Sequence, residues 1–117
     1  MKIVKDQITI NEFRQMALKM FGDLVKAVVD IEQEIMAIDG ELHADEEALL
    51  IKKGSKQQNL WGINIYPDPP AGGEGNDWIE FDSMINVRPS QNNRTRGIDN
   101  PEIQQKIIKI VNRLVKR

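Results

Sequence analysis

VKAVVDIEQEIMAID, residues 25–39, is the stretch whose reading decides the fold. As a helix, Leu24, Val28, Ile31, Ile35 and Ile38 fall on one apolar stripe. As a strand, Val25, Ala27, Val29, Ile31, Ile35 and Ala37 share one face that only Gln33 interrupts. Both periods fit, so periodicity alone does not choose. Composition favours the strand, with a bulge allowed at the break. The segment is rich in Val and Ile, it lacks an N-cap, and Gly22 has just ended a helix. The helix stays as the alternative.

Upstream, Lys2 to Lys5 reads as a short edge strand or an unordered start. Thr9 with Glu12 forms a capping box, in which the threonine oxygen takes a free helical amide and the glutamate reaches back. Ile8 and Phe13 suit a hydrophobic staple, and Phe13, Met16, Ala17 and Met20 make one apolar stripe ending at Gly22. That stripe is core rather than a cofactor box.

Downstream, Glu46 to Lys53 reads as a short helix capped by Asp45 and closed by Gly54. Leu60 to Tyr66 alternates as a strand. Residues 67–77 hold three prolines and three glycines, an irregular loop. Its GGEGN lacks the Lys-Ser/Thr of a phosphate-binding loop. Trp78 to Arg88 reads as the partner strand of a long-looped hairpin, with Ile79, Phe81, Ile85 and Val87 pointing one way. Asn100-Pro101 opens a last helix with the stripe Ile103, Ile107, Ile110, Val111 and Leu114, and Lys116 and Arg117 favour its negative end. The order is α-β-α-β-β-α. The fold class is α+β, with a small, mainly antiparallel sheet and helices on one face.

The 117 residues suit a single globular domain, and 40% hydrophobic with 29% charged residues is ordinary for a globular chain. There are no cysteines, so disulfides, thiolate metal sites and a cysteine nucleophile are excluded. That fits a cytoplasmic protein. No signal peptide is visible, and no apolar run is long enough for a membrane span. Residues 1–87 hold 8 Lys/Arg and 16 Asp/Glu, a net charge of −8, while residues 88–117 hold 8 and 2, a net +6. Either the two parts face each other in the fold, or the basic part binds an anion.

The segments ELHAD (41–45), GSKQQNLWGINIYP (54–67) and INVRPSQNNRTR (85–96) resemble a family of small bacterial and archaeal proteins of unknown function. The resemblance covers most of the chain. It implies a cytoplasmic, single-domain protein, and it supplies no assigned activity to carry over.

The polar residues are therefore read by their chemistry. Glu41, His43 and Asp45 alternate, so on a continuing strand they share one side at about 6.5–7 Å per two residues. Such a face could ligate a divalent metal, or a carboxylate could orient His43 as a general base. The plainer reading makes Asp45 a helix cap and His43 an ordinary histidine, and no metal or other cofactor is expected. Asp30, Glu32 and Glu34 also alternate, a spacing that glycosidases use, but a solvated face is the expectation in so small a domain.

Arg88, Arg94 and Arg96 are the strongest candidates. Their planar forks suit phosphate or carboxylate, and Ser90, Asn92 and Asn93 add neutral donors. The competing reading pairs Arg88 and Arg96 with Glu41, Asp45 or Asp82. Nucleic acid is not expected, because basic residues lack interleaved aromatics and the pI is about 5.4. Trp61 and Trp78 read as core or rim residues. The leading expectation is a domain that binds an anionic small molecule through Arg88, Asn92, Arg94 and Arg96 near His43, with Asn64 joining the set. The alternative is a small hydrolase or nuclease-like enzyme using His43 as base with Glu41 or Asp45 as its orienter. A third reading is a homodimeric interaction module built on an exposed edge strand.

Overall fold

The computed structural model describes residues 1–69 and 77–117. The GGEGN run therefore lies outside the described residues. The fold is α+β, and its five-stranded sheet is antiparallel between every pair of neighbours.

Residues 25–39 form two strands rather than one. β3 (Val25–Asp30) turns back into β4 (Ile35–Ile38), with Ala27 opposite Ile38 and Asp30 opposite Ile35. The allowed bulge is a tight turn, and Gln33, which broke the strand face, sits in it. Asp30 builds that turn. Its Oδ1 accepts the amides of Glu32 at 2.9 Å and Gln33 at 3.0 Å, and its Oδ2 accepts the Ser55 hydroxyl at 2.6 Å. Glu34 completes the turn at φ 58°, in the left-handed region. Asp30 is thus a buried turn residue, not part of a solvated carboxylate face.

β1 (Lys2–Val4) borders β4, β5 (Leu60–Ile65) borders β3, and β6 (Ile79–Glu80) borders β5, giving the order β1-β4-β3-β5-β6. A separate two-stranded parallel ribbon joins β2 (Ile8–Thr9) to β7 (Val115–Lys116). Lys116 accordingly belongs to a strand, and the last helix stops at Leu114.

That helix, α3 (Pro101–Leu114), begins where the Asn100 side chain accepts the Glu102 amide at 2.8 Å. α1 (Ile10–Met20) carries the full Thr9–Glu12 capping box. Phe13 and Ala17 of α1 and Ile107, Ile110, Val111 and Leu114 of α3 pack on Ala27, Val29, Met36, Ile38, Ile63 and Ile65. Trp61 and Trp78 are buried in the same cluster.

α2 (His43–Lys52) lies on the opposite face. Its Leu50 packs with Val28, Ala37 and Leu60, the residues of alternate parity along the same three strands. The helices therefore cover both faces, which corrects the expectation that they share one. The reason is visible in β3: Val28 and Val29 are consecutive and both fully buried, so both faces of this strand are covered at its centre. Burying Val28, Leu50 and Leu60 contributes about 1.5–3 kcal/mol each.

α2 also begins earlier than expected. Leu42 occupies its N-cap position without a side-chain bond, and Asp45 stands inside the first turn. Glu41, His43 and Asp45 do not share a strand face.

Candidate functional site

The expected strand Trp78 to Arg88 ends at Glu80, and side chains take over its pairing role. Ser83 turns the chain into a short 3-10 turn, Met84–Asn86. The fully buried Asn86 amide then mimics a strand partner. Its Oδ1 accepts the Gly62 amide at 2.8 Å, and its Nδ2 donates to the Gly62 carbonyl at 2.9 Å and to the Arg96 carbonyl at 3.0 Å. Gly62 must be glycine here, since a Cβ would lie 2.6 Å from the Ser83 side chain. The short strand thus leaves few unmet amides on the β5 edge.

Arg88 closes the rest of that edge. Its Nε donates to the Ile85 carbonyl at 3.0 Å, and its Nη1 donates to the Gln57 carbonyl at 2.8 Å and the Gln91 side chain at 3.1 Å. Nη2 donates to the Leu60 carbonyl. The guanidinium also lies over Trp61, 4.3 Å from its ring centroid. Burial pulls its pKa down, and Glu47 opposes that. Asn93, also buried, donates to the carbonyls of Asn86 at 2.7 Å and Gly97 at 2.8 Å, and its own oxygen accepts the Asp99 amide at 2.7 Å. Asn92 is exposed at φ 59°, ending the Pro89–Gln91 turn. Arg94 is exposed, and its guanidinium has no hydrogen bond or ion pair among the described residues.

Arg96 is placed differently. Its Nε donates to Asp82 Oδ1 at 2.7 Å, which leaves the terminal nitrogens without a hydrogen bond among the described residues. It lines a cleft of about 180 Å³ together with Lys26, Leu42, His43, Ala44, Ser83, Met84 and Ile85. The structure therefore brings His43 to Arg96. Arg88 is spent on the sheet edge, and Arg94 and Asn92 do not line the cleft.

The His43 ring is held by Nε2, which donates to the Ile63 carbonyl at 2.8 Å. A carbonyl only accepts, so Nε2 carries the hydrogen and Nδ1 of the neutral ring is an acceptor. Burial lowers the His43 pKa most. The Ile63 carbonyl raises it, Lys26 and Arg96 lower it, and Asp82 raises it. The neutral form is favoured at pH 7. The orienting group is thus a backbone carbonyl. Glu41 and Asp45, proposed for that role, are both exposed.

The chain belongs to the family described as a protein of unknown function, DUF5674, whose model matches residues 2–114. No curated protein and no solved structure matches the chain. The matched DUF5674 span includes every residue of the cleft.

A polar row crosses the sheet beside the cleft. Lys26 of β3 stands opposite Asn64 of β5, and Asn64 stands opposite Glu80 of β6. Asn64 Nδ2 donates to Glu80 Oε1 at 2.8 Å and to the Asp82 carbonyl at 3.4 Å, and the Tyr66 hydroxyl donates to the same Glu80 oxygen at 3.2 Å. Asn64 Oδ1 is buried without a partner among the described residues. Lys26 Nζ lies 5.0 Å from the Phe21 ring centroid and has no carboxylate partner among the described residues. One turn after His43, the buried Glu46 accepts the Gly40 amide on Oε2 at 3.0 Å, while Oε1 has no partner among the described residues. Burial pushes its pKa up to about 9, against the Gly40 hydrogen bond and Lys26, so it holds a proton at neutral pH.

Among the described residues no group of three or more His, Asp or Glu could hold a metal ion, and no helix is long and apolar enough to cross a membrane. Sequence reasoning missed Lys26, Glu46 and Asn86. Lys26 had a signal: it is the first charge inside the otherwise apolar run VKAVV. Asn86 had none, because its partner Gly62 is remote in sequence.

Proposed function

We propose that this protein binds a small oxyanion, a carboxylate or phosphate group, in the cleft between α2 and the 83–96 loop. Arg96 and Lys26 supply the charge, and His43 supplies a neutral acceptor for a ligand hydroxyl. The observation that carries this reading is that Arg96 is held through Nε alone while its terminal nitrogens remain without partners among the described residues. Asp82 orients the guanidinium, and the outer fork keeps the geometry that suits an oxyanion. The three residues come from β3, α2 and the loop, so the fold sets their spacing. A volume of about 180 Å³ suits a small ligand rather than a nucleotide.

Thermal unfolding with phosphate, acetate and a sodium chloride control of equal ionic strength tests the proposal. Ligand at 100 times its dissociation constant should stabilise the fold by about 2.7 kcal/mol. Lys26→Ala should reduce that shift. No shift with either anion beyond the chloride control, or a shift in Lys26→Ala and Arg96→Ala unchanged from wild type, would remove the reading.

An enzymatic reading rests on one specific observation: a neutral histidine fixed by a carbonyl, with Nδ1 as acceptor, has the form of a general base. It would require turnover of a phosphate or carboxylate ester that falls with pH through the His43 titration and is absent in His43→Ala. Ligand binding without any turnover leaves the binding function alone.

A further inference from the structure

We infer that the ligand of this cleft is an organic acid with a short apolar body, rather than an inorganic anion. The inference deepens the oxyanion reading and rests on it. The residues that line the cleft are of two kinds. Lys26, His43 and Arg96 are polar or charged, and Leu42, Met84 and Ile85 are apolar. Leu42 is 56% exposed and Met84 is 65% exposed, from separate elements, yet both border the same small concavity. An inorganic ion would use the polar residues and leave the apolar ones in water. Exposed apolar side chains are ordinary singly, but here two of them flank a charged cleft. Ile85 also packs against the smaller core beneath α2, which holds this apolar residue of the lining in place. Methionine is also a flexible side chain that adapts to irregular apolar shapes.

The charge pattern selects the head group's sign. Arg96 and Lys26 face the cleft, and its neighbouring carboxylate, Asp82, is already bonded to Arg96 Nε. The volume of about 180 Å³ limits the body to a few carbons beyond the acid group. The ligand class is a short-chain aliphatic carboxylate, with its carboxylate at Arg96 and its chain across Met84 and Leu42.

Titration of the full chain with acetate, butanoate and hexanoate, alongside inorganic phosphate, tests this by calorimetry or amide chemical shifts. Affinity should rise about fourfold for each added methylene until the cleft is filled. A Leu42→Ser, Met84→Ser double variant should lose the chain-length dependence, read as the ratio of hexanoate to acetate affinity; both positions are exposed, so the fold should survive. Equal affinity across the series overturns the apolar body and leaves the oxyanion reading standing. Chain-length dependence that persists in the double variant overturns it too, because the alkyl chain then binds elsewhere. Failure of acetate, hexanoate and phosphate alike overturns both.

Discussion

Arg88 and Arg96 stand eight positions apart on one loop and do opposite things. Arg88 donates to three backbone carbonyls and the Gln91 side chain and lies over Trp61. Arg96 makes one side-chain hydrogen bond, to Asp82, and lines a cleft. Arginine is well suited to both tasks, since its five donors can satisfy carbonyls or recognise an oxyanion. What separates them is the neighbouring strand. β6 is only two residues long, so the β5 edge beyond it is closed by side chains, and Arg88 is consumed in closing it. Arg96 lies past that edge. A cluster of arginines in sequence is therefore not yet a site; the length of one strand decides which of them remain available.

This contrast can be broken first at its structural half. Asn86→Ala leaves the buried Gly62 amide and carbonyl unpaired and should cost roughly 4 kcal/mol, read as a lower denaturant midpoint. A loss below about 1 kcal/mol would mean that the edge is closed some other way.

Glu46 gives the next largest effect, and its sign is fixed. The folded carboxyl titrates near 9 and the unfolded one near 4.5, so the unfolded state binds fewer protons between those values. Its contribution is full below the unfolded value and is lost as pH rises toward 9. Wild-type stability should fall by roughly 3 kcal/mol from pH 4.5 to 7 through this group, and Glu46→Gln should flatten that slope. A parallel pH dependence in both proteins would show that Glu46 is ionised in the fold. The buried His43 acts in the other direction: its lowered pKa means that stability is lost as pH falls below the ordinary histidine range.

Arg88→Lys should cost about 2 kcal/mol, because a lysine cannot reach three carbonyls or stack as a plane. Arg96→Ala should cost less than about 1 kcal/mol, as expected for an exposed ion pair. Comparable losses at both positions would erase the distinction between them.

Much of this architecture is legible in the residues themselves. The Thr9–Glu12 capping box and the Asn100-Pro101 start fix α1 and α3, because both are local hydrogen-bond patterns. The strand reading of residues 25–39 holds for both arms, but the Asp30 turn between them reads in sequence only as a break at Gln33, because both arms fit one continuous apolar face. The side of the sheet that α2 occupies also escaped, since it follows from strand pairing rather than from any helix signal. At the site, the loop's arginines and asparagines were identified as a group, and Arg96 and His43 do meet. Their sorting was not legible, because Asn86, Asn93 and Arg88 are committed to backbone groups of β5 and of the loop itself. Lys26 was missed because it alternates into a strand that otherwise reads as core.

The central claim is that the loop's arginines are divided in role and that Arg96 alone serves the cleft. Amide chemical-shift titration of acetate into wild type, Arg94→Ala and Arg96→Ala tests it most directly. Both arginines are exposed and make little of the fold's stability, so the variants compare fairly. The division predicts shifts centred on Lys26, His43, Ser83 and Arg96, unchanged affinity in Arg94→Ala, and affinity about 10-fold weaker or more in Arg96→Ala. Equal weakening in the two variants, or shifts spread along the 88–94 segment, would contradict it.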